Sequence, residues 1–250
     1  MNTAHPYRVF QLKTKRRENA SVNTLIFDDG LEGAYPGQFV MVWLPGIGEK
    51  PFCVAGADPF ALTVAAAGDF SGVLHGLSIG QRAWVRGPYG RGFELQGSRH
   101  LLVGGGYGAA PLLFLARQAL SQGQAVLACL GARGAQNVLL ADAFQDAGCE
   151  AQVSTDDGSQ GIKGLVTQLA VASLEEFRPD TLYACGPLPM LTAAARLCKQ
   201  RGLAAQLSYE GLMRCGIGLC GSCELDGSSR EAAGIPSGWL TCKDGPVFFL

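Results

Sequence analysis

The sequence predicts an α+β multidomain chain: an antiparallel β-barrel over residues 1–97, an α/β domain with a parallel sheet over 98–209, and a small segment over 210–250. Three observations carry that division. Short apolar runs separated by turn residues fill the first part. Strand and helix patterns alternate through the second. The third holds four of the nine cysteines in one motif. A chain of 250 residues has room for this, at roughly 100–200 residues per domain.

In the first part, strands are expected at 7–13, 23–27, 37–44, 51–55, 61–67 and 81–86, each bounded by Gly, Pro, Asp or Asn. One helical pattern, 72–77, interrupts them. Many short strands joined by Gly/Pro turns close most readily as a small barrel. The basic run Lys13-Thr14-Lys15-Arg16-Arg17 reads as a solvated strand edge or turn.

From about His100 the pattern changes. The expected order is strand 101–103, helix 111–121, strand 125–130, helix 138–147, strand 151–154, helix 165–170, strand 181–184, helix 189–201 and strand 205–208. Strands alternating with helices give a parallel sheet with crossovers. The last stretch, 210–250, shows no helix-length pattern.

Composition sets limits. A net charge of −1 argues against a broad footprint for nucleic acid or an anionic membrane. No signal-peptide pattern stands at the N-terminus, and no uncharged apolar stretch reaches the ~18–20 residues of a membrane span. The expectation is a soluble, cytoplasmic protein with no nucleic-acid or membrane partner. Its cysteines then serve as ligands, core residues or active-site thiols rather than disulfides. Cys129, Cys149 and Cys198 fall on strand or helix faces and read as buried thiols.

The other four are sharper. Cys215, Cys220, Cys223 and Cys242 follow the spacing C-x4-C-x2-C, then 18 residues, then C. That is the plant-type spacing for a [2Fe–2S] cluster held by four thiolates. Gly216, Gly218 and Gly221 supply the curvature a loop needs to turn its N–H groups toward sulfur. Structural zinc usually shows paired C-x2-C knuckles, and only Cys220 and Cys223 form one. Zinc and plain structural cysteines are the alternatives.

A strand running into Gly104-Gly105-Gly106-Tyr107-Gly108 and then a helix is a phosphate-cradling arrangement. It fits the dinucleotide fingerprint only loosely. The next strand ends in Gly131-Ala132-Arg133 rather than an acid, and a structural glycine turn is the alternative. Arg133 also leaves NADP open. A second feature is Cys185-Gly186-Pro187 at the end of strand 181–184, where ligands of open α/β sheets collect. A small thiol there can pack beside a nicotinamide ring without blocking hydride transfer, which makes Cys185 the candidate catalytic residue; a buried turn cysteine is the bland version.

Taken in order, K-P-F-C, G-D-F-S, G-P-Y-G-R-G-F, G-G-G-Y-G-A-A-P and Y-A-C-G-P-L-P-M resemble the ferredoxin-NADP reductase superfamily. With the cysteine segment, S-T-D-D-G-S-Q-G-I-K-G-L-V-T and C-K-D-G-P-V-F, the resemblance is to electron-transfer subunits of NAD-dependent dihydroorotate dehydrogenases, over essentially the whole chain. The resemblance implies FAD in the barrel domain, NAD(H) on the α/β domain and [2Fe–2S] on the C-terminal segment. It implies that Lys50, Pro51, Phe52 and Cys53 lie along the flavin and its pyrophosphate, with Thr63, Val64, Ala65, Gly68, Phe70 and Ser71 beside them. Gly105, Gly106, Gly108, Cys185, Gly186 and Pro187 are then the nicotinamide dinucleotide residues. Two positions depart from the family: Lys50 replaces an arginine and loses its bidentate fork, and Cys53 replaces a hydroxyl with a weaker donor.

The resemblance further implies a partner, an FMN-containing dihydroorotate dehydrogenase catalytic subunit, in a heterotetramer serving pyrimidine biosynthesis. No acid or base for dihydroorotate is recognisable in this chain. The expected path runs from dihydroorotate through the partner's flavin, the cluster and FAD to NAD+. A reductase serving an oxygenase, hydrogenase or ferredoxin, and a non-catalytic cluster-binding sensor, are the competing readings. Ile217, Leu219 and residues 247–250 suit either a docking face or core packing.

Overall fold

The computed structural model describes residues 6–250, apart from the side chains at 228 and 229. Six strands form a closed antiparallel barrel: β1 (Arg8–Arg17), β2 (Val22–Phe27), β3 (Phe39–Leu44), β4 (Gly48–Ala57), β5 (Phe60–Ala65) and β6 (Arg82–Tyr89). Their order around the barrel is β1-β2-β5-β4-β3-β6. Helix α1 (Asp69–His75) closes one end. Phe10, Phe27 and Phe60 pack ring against ring in the interior, with centroids 4.8–6.1 Å apart. Aromatic pairs at such separations add to plain area burial. The basic run of residues 13–17 lies on exposed positions of β1.

The second sheet has seven strands in the order β10-β9-β8-β7-β11-β12-β13. They are β7 (Arg99–Gly105), β8 (Ala125–Ala132), β9 (Glu150–Thr155), β10 (Ile162–Lys163), β11 (Thr181–Cys185), β12 (Ala204–Ser208) and β13 (Val247–Phe249). All pairings are parallel except β12 with β13. Helices α2 (Ala109–Ser121) and α3 (Ala141–Asp146) bury one face; α4 (Val166–Phe177), α5 (Leu188–Arg201) and α6 (Gly227–Ala233) cover the other. Helix α5 shows why its ends fall where they do. Pro189 stands in its first turn, and Gly202 takes the left-handed cap at φ +60° after Lys199 and Arg201.

Three elements differ from expectation. The helix expected at 138–147 shortens to α3, because Leu140 adopts φ +62° and it and Leu139 turn inward. The helix expected at 165–170 runs on to Phe177: Val166, Leu169, Ala170, Ser173 and Leu174 form one buried stripe at helical spacing. The C-terminal segment contains the short helix α6, packed on α5, and its last strand completes the second sheet.

The stretch 91–96 ties the parts together. Gln206 of β12 exchanges two hydrogen bonds with the Glu94 backbone, at 2.8 and 2.7 Å. The Tyr183 hydroxyl accepts from the Gln96 N–H and donates to the Glu94 carbonyl. Arg91 lies over the Phe249 ring at 3.5 Å, and its N–H reaches the Gly245 carbonyl. Barrel, sheet and C-terminal segment are thus pinned around residues 90–96. No helix among the described residues is long and apolar enough to cross a membrane.

Candidate functional site

The ends of β11 and β12 meet the barrel around a cavity of about 270 Å³ with mostly apolar walls. The barrel contributes Phe39, Pro51, Phe52, Cys53, Thr63, Ala65 and Ser71. The sheet contributes Tyr107, Gly108 and Ala110 from the start of α2, then Cys185, Ser208 and Glu210 from the two strand ends. Met213 and Pro246 close it from the C-terminal segment.

Strand alternation sorts the expected residues here. Thr63 and Ala65 face the cavity, while Val64 between them is fully buried in the barrel core. Phe52 lines the cavity and stacks on Phe70, which is itself barrel core. Lys50 is exposed and stands outside the wall. Ser71 Oγ accepts the N–H groups of Ala67 and Gly68, both at 3.0 Å, and so fixes the turn into α1.

A second cleft, of about 500 Å³, lies beside the first. Gly105 and Gly106, Gly131 to Arg133, Asp156, Pro187 and Met190 line it, with Asn19 and Ser21 from the barrel. Tyr107 and Ala65 belong to both spaces and form the wall between them. Glycine is required at the turn after β7. A Cβ on Gly105 would stand 2.7 Å from Pro187 Cδ, and one on Gly108 would strike the Cys185 carbonyl. Gly186 in turn packs on Gly105, at φ +155°. Asp156, which follows β9, lines the same cleft as Arg133.

Electrostatics in the cavity keep its thiols neutral. Burial, aided by Glu210, pushes the Cys53 thiol up to about 12. Burial likewise raises Cys185 well above its ordinary value. Burial also raises the Glu210 carboxyl, and its charge is the largest influence raising Tyr107. Glu210 stands at the solvent-exposed edge of the cavity, where a carboxyl shifted toward neutrality can exchange a proton with water.

The four motif cysteines stand as two pairs. Cys223 and Cys242 are buried, with their sulfurs 3.3 Å apart. Cys215 and Cys220 lie nearer the surface, with their thiols adjacent. Backbone N–H groups aim at sulfur throughout: Ile217 and Leu219 at Cys215 (3.5 and 3.4 Å), Gly218 at Cys242 (3.1 Å). The Ser222 hydroxyl, the largest influence, and nearby N–H groups hold the Cys220 thiol down to about 6. Burial pushes Cys242 up to about 12. Among the described residues no three His, Cys, Asp or Glu converge as they would on a single ion. Two thiol pairs flanked by N–H donors suit two irons that share bridging sulfides. The loop reaches this shape through Gly216 at φ +74°, where a Cβ would stand 2.9 Å from Met41 Cγ of the barrel.

The two regions touch. Phe39 and Met213 line the cavity and also pack in one apolar cluster with Met41, Cys223 and Cys242. The sequence reading missed Tyr107, Asp156, Glu210 and Met213. Glu210 carried a signal, being an acid two residues beyond a parallel strand; Met213 carried none.

Residues 210–250 match the family described as the iron-sulfur cluster binding domain of dihydroorotate dehydrogenase B. The chain is 41% identical to the probable dihydroorotate dehydrogenase B (NAD(+)), electron transfer subunit, of Methanothermobacter thermautotrophicus, covering 100% of this chain and 91% of that one. It is 40% identical to the protein of the same description from Thermococcus kodakarensis, covering 97% and 96%. Among solved structures, the NADH-dependent reduced ferredoxin-NADP oxidoreductase studied for flavin-based electron bifurcation superposes with TM-score 0.82 at 29% identity, covering 97% of this chain and 88% of that one. The cytochrome b5 reductase domain of Ulva prolifera nitrate reductase shares the fold, with TM-score 0.62 at 20% identity over 79% and 94%.

Proposed function

The chain belongs to the family of dihydroorotate dehydrogenase B (NAD(+)) electron transfer subunits, and from that premise we propose how its residues divide the work. The protein is an oxidoreductase subunit that passes electrons between NAD(H) and a dihydroorotate dehydrogenase catalytic subunit, using FAD and a [2Fe–2S] cluster. Working divisions are 1–97 for FAD, 98–209 for NAD(H) and 210–250 for the cluster.

A bound flavin supplies the exchange between the two-electron chemistry of nicotinamide and the one-electron chemistry of a cluster. This chain's residues do the rest. Pro51, Phe52, Cys53, Thr63 and Ala65 offer a flat, largely apolar wall for a flavin ring, while Lys50 on the exposed strand offers its charge to phosphate. The glycines of the turn after β7 admit the dinucleotide close to the backbone, and Cys185 and Tyr107 hold the two rings apart from water. Glu210 holds the proton that accompanies electron movement in the cavity. Cys215, Cys220, Cys223 and Cys242 hold the cluster.

The observation that carries this reading is the shared wall at Phe39 and Met213, which joins the cavity to the buried sulfur pair. Beyond the other pair, Ile217 is 43% and Leu219 81% exposed on the cluster loop, whereas Val247 is core. We assign the former to docking on the catalytic subunit. Nine unpaired cysteines support a reducing, cytoplasmic setting. Co-expression with a dihydroorotate-oxidising flavoprotein tests the assignment: the expected result is a stable complex that reduces NAD+ with dihydroorotate. No complex, or a complex that oxidises dihydroorotate without reducing NAD+, would contradict it.

A further inference from the structure

One ion pair of the barrel serves the cluster loop rather than the barrel. Arg86, in β6, makes a two-pronged pair with Glu49 of β4: Nε to Oε1 at 2.6 Å and Nη2 to Oε2 at 2.7 Å. Both side chains are largely buried, 15% and 21% exposed. Tyr7 donates its hydroxyl to the same Glu49 Oε1 at 2.6 Å, and the guanidinium faces the rings of Tyr7 and Tyr89 at 6.0 and 5.6 Å. So held, Arg86 Nη2 donates a further hydrogen bond, at 2.9 Å, to the backbone carbonyl of Cys215.

A buried pair of this kind is a poor device for stability, since desolvation offsets the attraction. Its geometry suits positioning. A planar guanidinium grips a carboxylate with two parallel bonds and still presents a donor to a third group. The bond fixes the Cys215 backbone just before the turn whose N–H groups point at the Cys215 sulfur. It also places a poorly solvated cation one peptide from a cluster ligand, with Glu49 as a partial counterweight. Reduction of a cluster adds one electron, and hence one negative charge, without breaking a bond. A nearby cation therefore favours the reduced form and a nearby anion the oxidised form.

We propose that Arg86 is a positioning residue for the cluster: held by Glu49, Tyr7 and Tyr89, it anchors Cys215 to the barrel, and the balance of charge between Arg86 and Glu49 sets the cluster's reduction potential. This rests on the proposed ligation by Cys215, Cys220, Cys223 and Cys242. Arg214 and Lys243, beside the ligands in sequence, are unchanged in every variant below.

The test is a redox titration of the flavin- and cluster-loaded protein, followed by the low-temperature paramagnetic spectrum of the cluster. Arg86→Gln is expected to shift the reduced-to-oxidised ratio about ten-fold toward oxidised at fixed potential, which is 59 mV for a one-electron couple. Glu49→Gln, which keeps an acceptor for the fork but removes the charge, is expected to shift it the opposite way. Arg86→Lys restores the charge and the potential but alters the spectral shape, because the Cys215 anchor is lost. Mere loosening of the loop would move Arg86→Gln and Glu49→Gln in one direction. Shifts of the same sign, or none, would overturn the proposal. If Arg86→Gln does not fold, an unchanged potential in Glu49→Gln overturns it alone. An unsubstituted protein lacking the cluster spectrum would overturn the ligation reading as well.

Discussion

The two sulfur pairs sit in contrasting surroundings. Cys223 and Cys242 are 1% and 3% exposed and pack with Met213 and Phe39 against the cavity. Cys215 and Cys220 stand at the surface, between the exposed Leu219 and the Arg86 anchor. The difference assigns directions: one pair faces the barrel's cavity, the other faces outward. It also explains the split in their acidity, since burial raises Cys242 whereas the Ser222 hydroxyl and N–H donors lower Cys220.

The sharpest way to break the comparison is to delete one proposed ligand on each side. Cys242→Ala is expected to abolish iron and sulfide binding and to lower the melting temperature, because a core contact goes with the ligand. Cys220→Ala is expected to abolish the cluster with little change in the melting of the iron-free protein. Iron analysis and calorimetry check both. Next in size is Met213→Ala, at a cost of about 2 kcal/mol in unfolding free energy. It should slow reduction of the cluster by NADH several-fold while leaving flavin bleaching unchanged, as rapid mixing would read. On the outward side, Leu219→Asp is expected to weaken association with the catalytic subunit about ten-fold, or ~1.4 kcal/mol, with the cluster spectrum unaltered.

The smallest effect concerns the cavity. Burial raises the folded-state Glu210 carboxyl above its unfolded value, so the folded chain binds the extra proton. Stability from this group is then present below the ordinary glutamate range and is lost as pH rises through the raised value. Glu210→Gln should therefore stabilise the flavin-free protein at neutral pH, with a gain that fades as pH falls into the carboxylate range. Thermal melts across pH 4–8, roughly that window, would show it.

Much of this was legible because it is local. The cysteine spacing lies within one loop and one strand end, and the glycine turn after β7 joins adjacent elements. The barrel's strands announced themselves through turn residues and β-branched runs. What the sequence hid is long-range or a matter of facing. Val64 sits between Thr63 and Ala65 in the same motif, yet pleating turns it into the barrel core. Arg86 and Cys215 are 129 residues apart, and only the closure of the barrel against the C-terminal segment brings them together. Residues 247–250 suited either a docking face or core packing, and antiparallel pairing with β12 makes 247–249 the edge of the second sheet. Helix α4 outran its expected end because Ser173 and Leu174 continue its buried stripe past Ala170, although serine is a weak helix former.

In the proposed function, cavity and cluster form one path through the wall at Phe39 and Met213. An anaerobic NADH titration of the isolated, fully loaded protein tests it most directly, followed at flavin and cluster wavelengths together. The expected result is loss of colour at both, with more reducing equivalents taken up than the flavin alone accepts. Bleaching confined to the flavin, with the cluster still reducible by dithionite, would contradict the account.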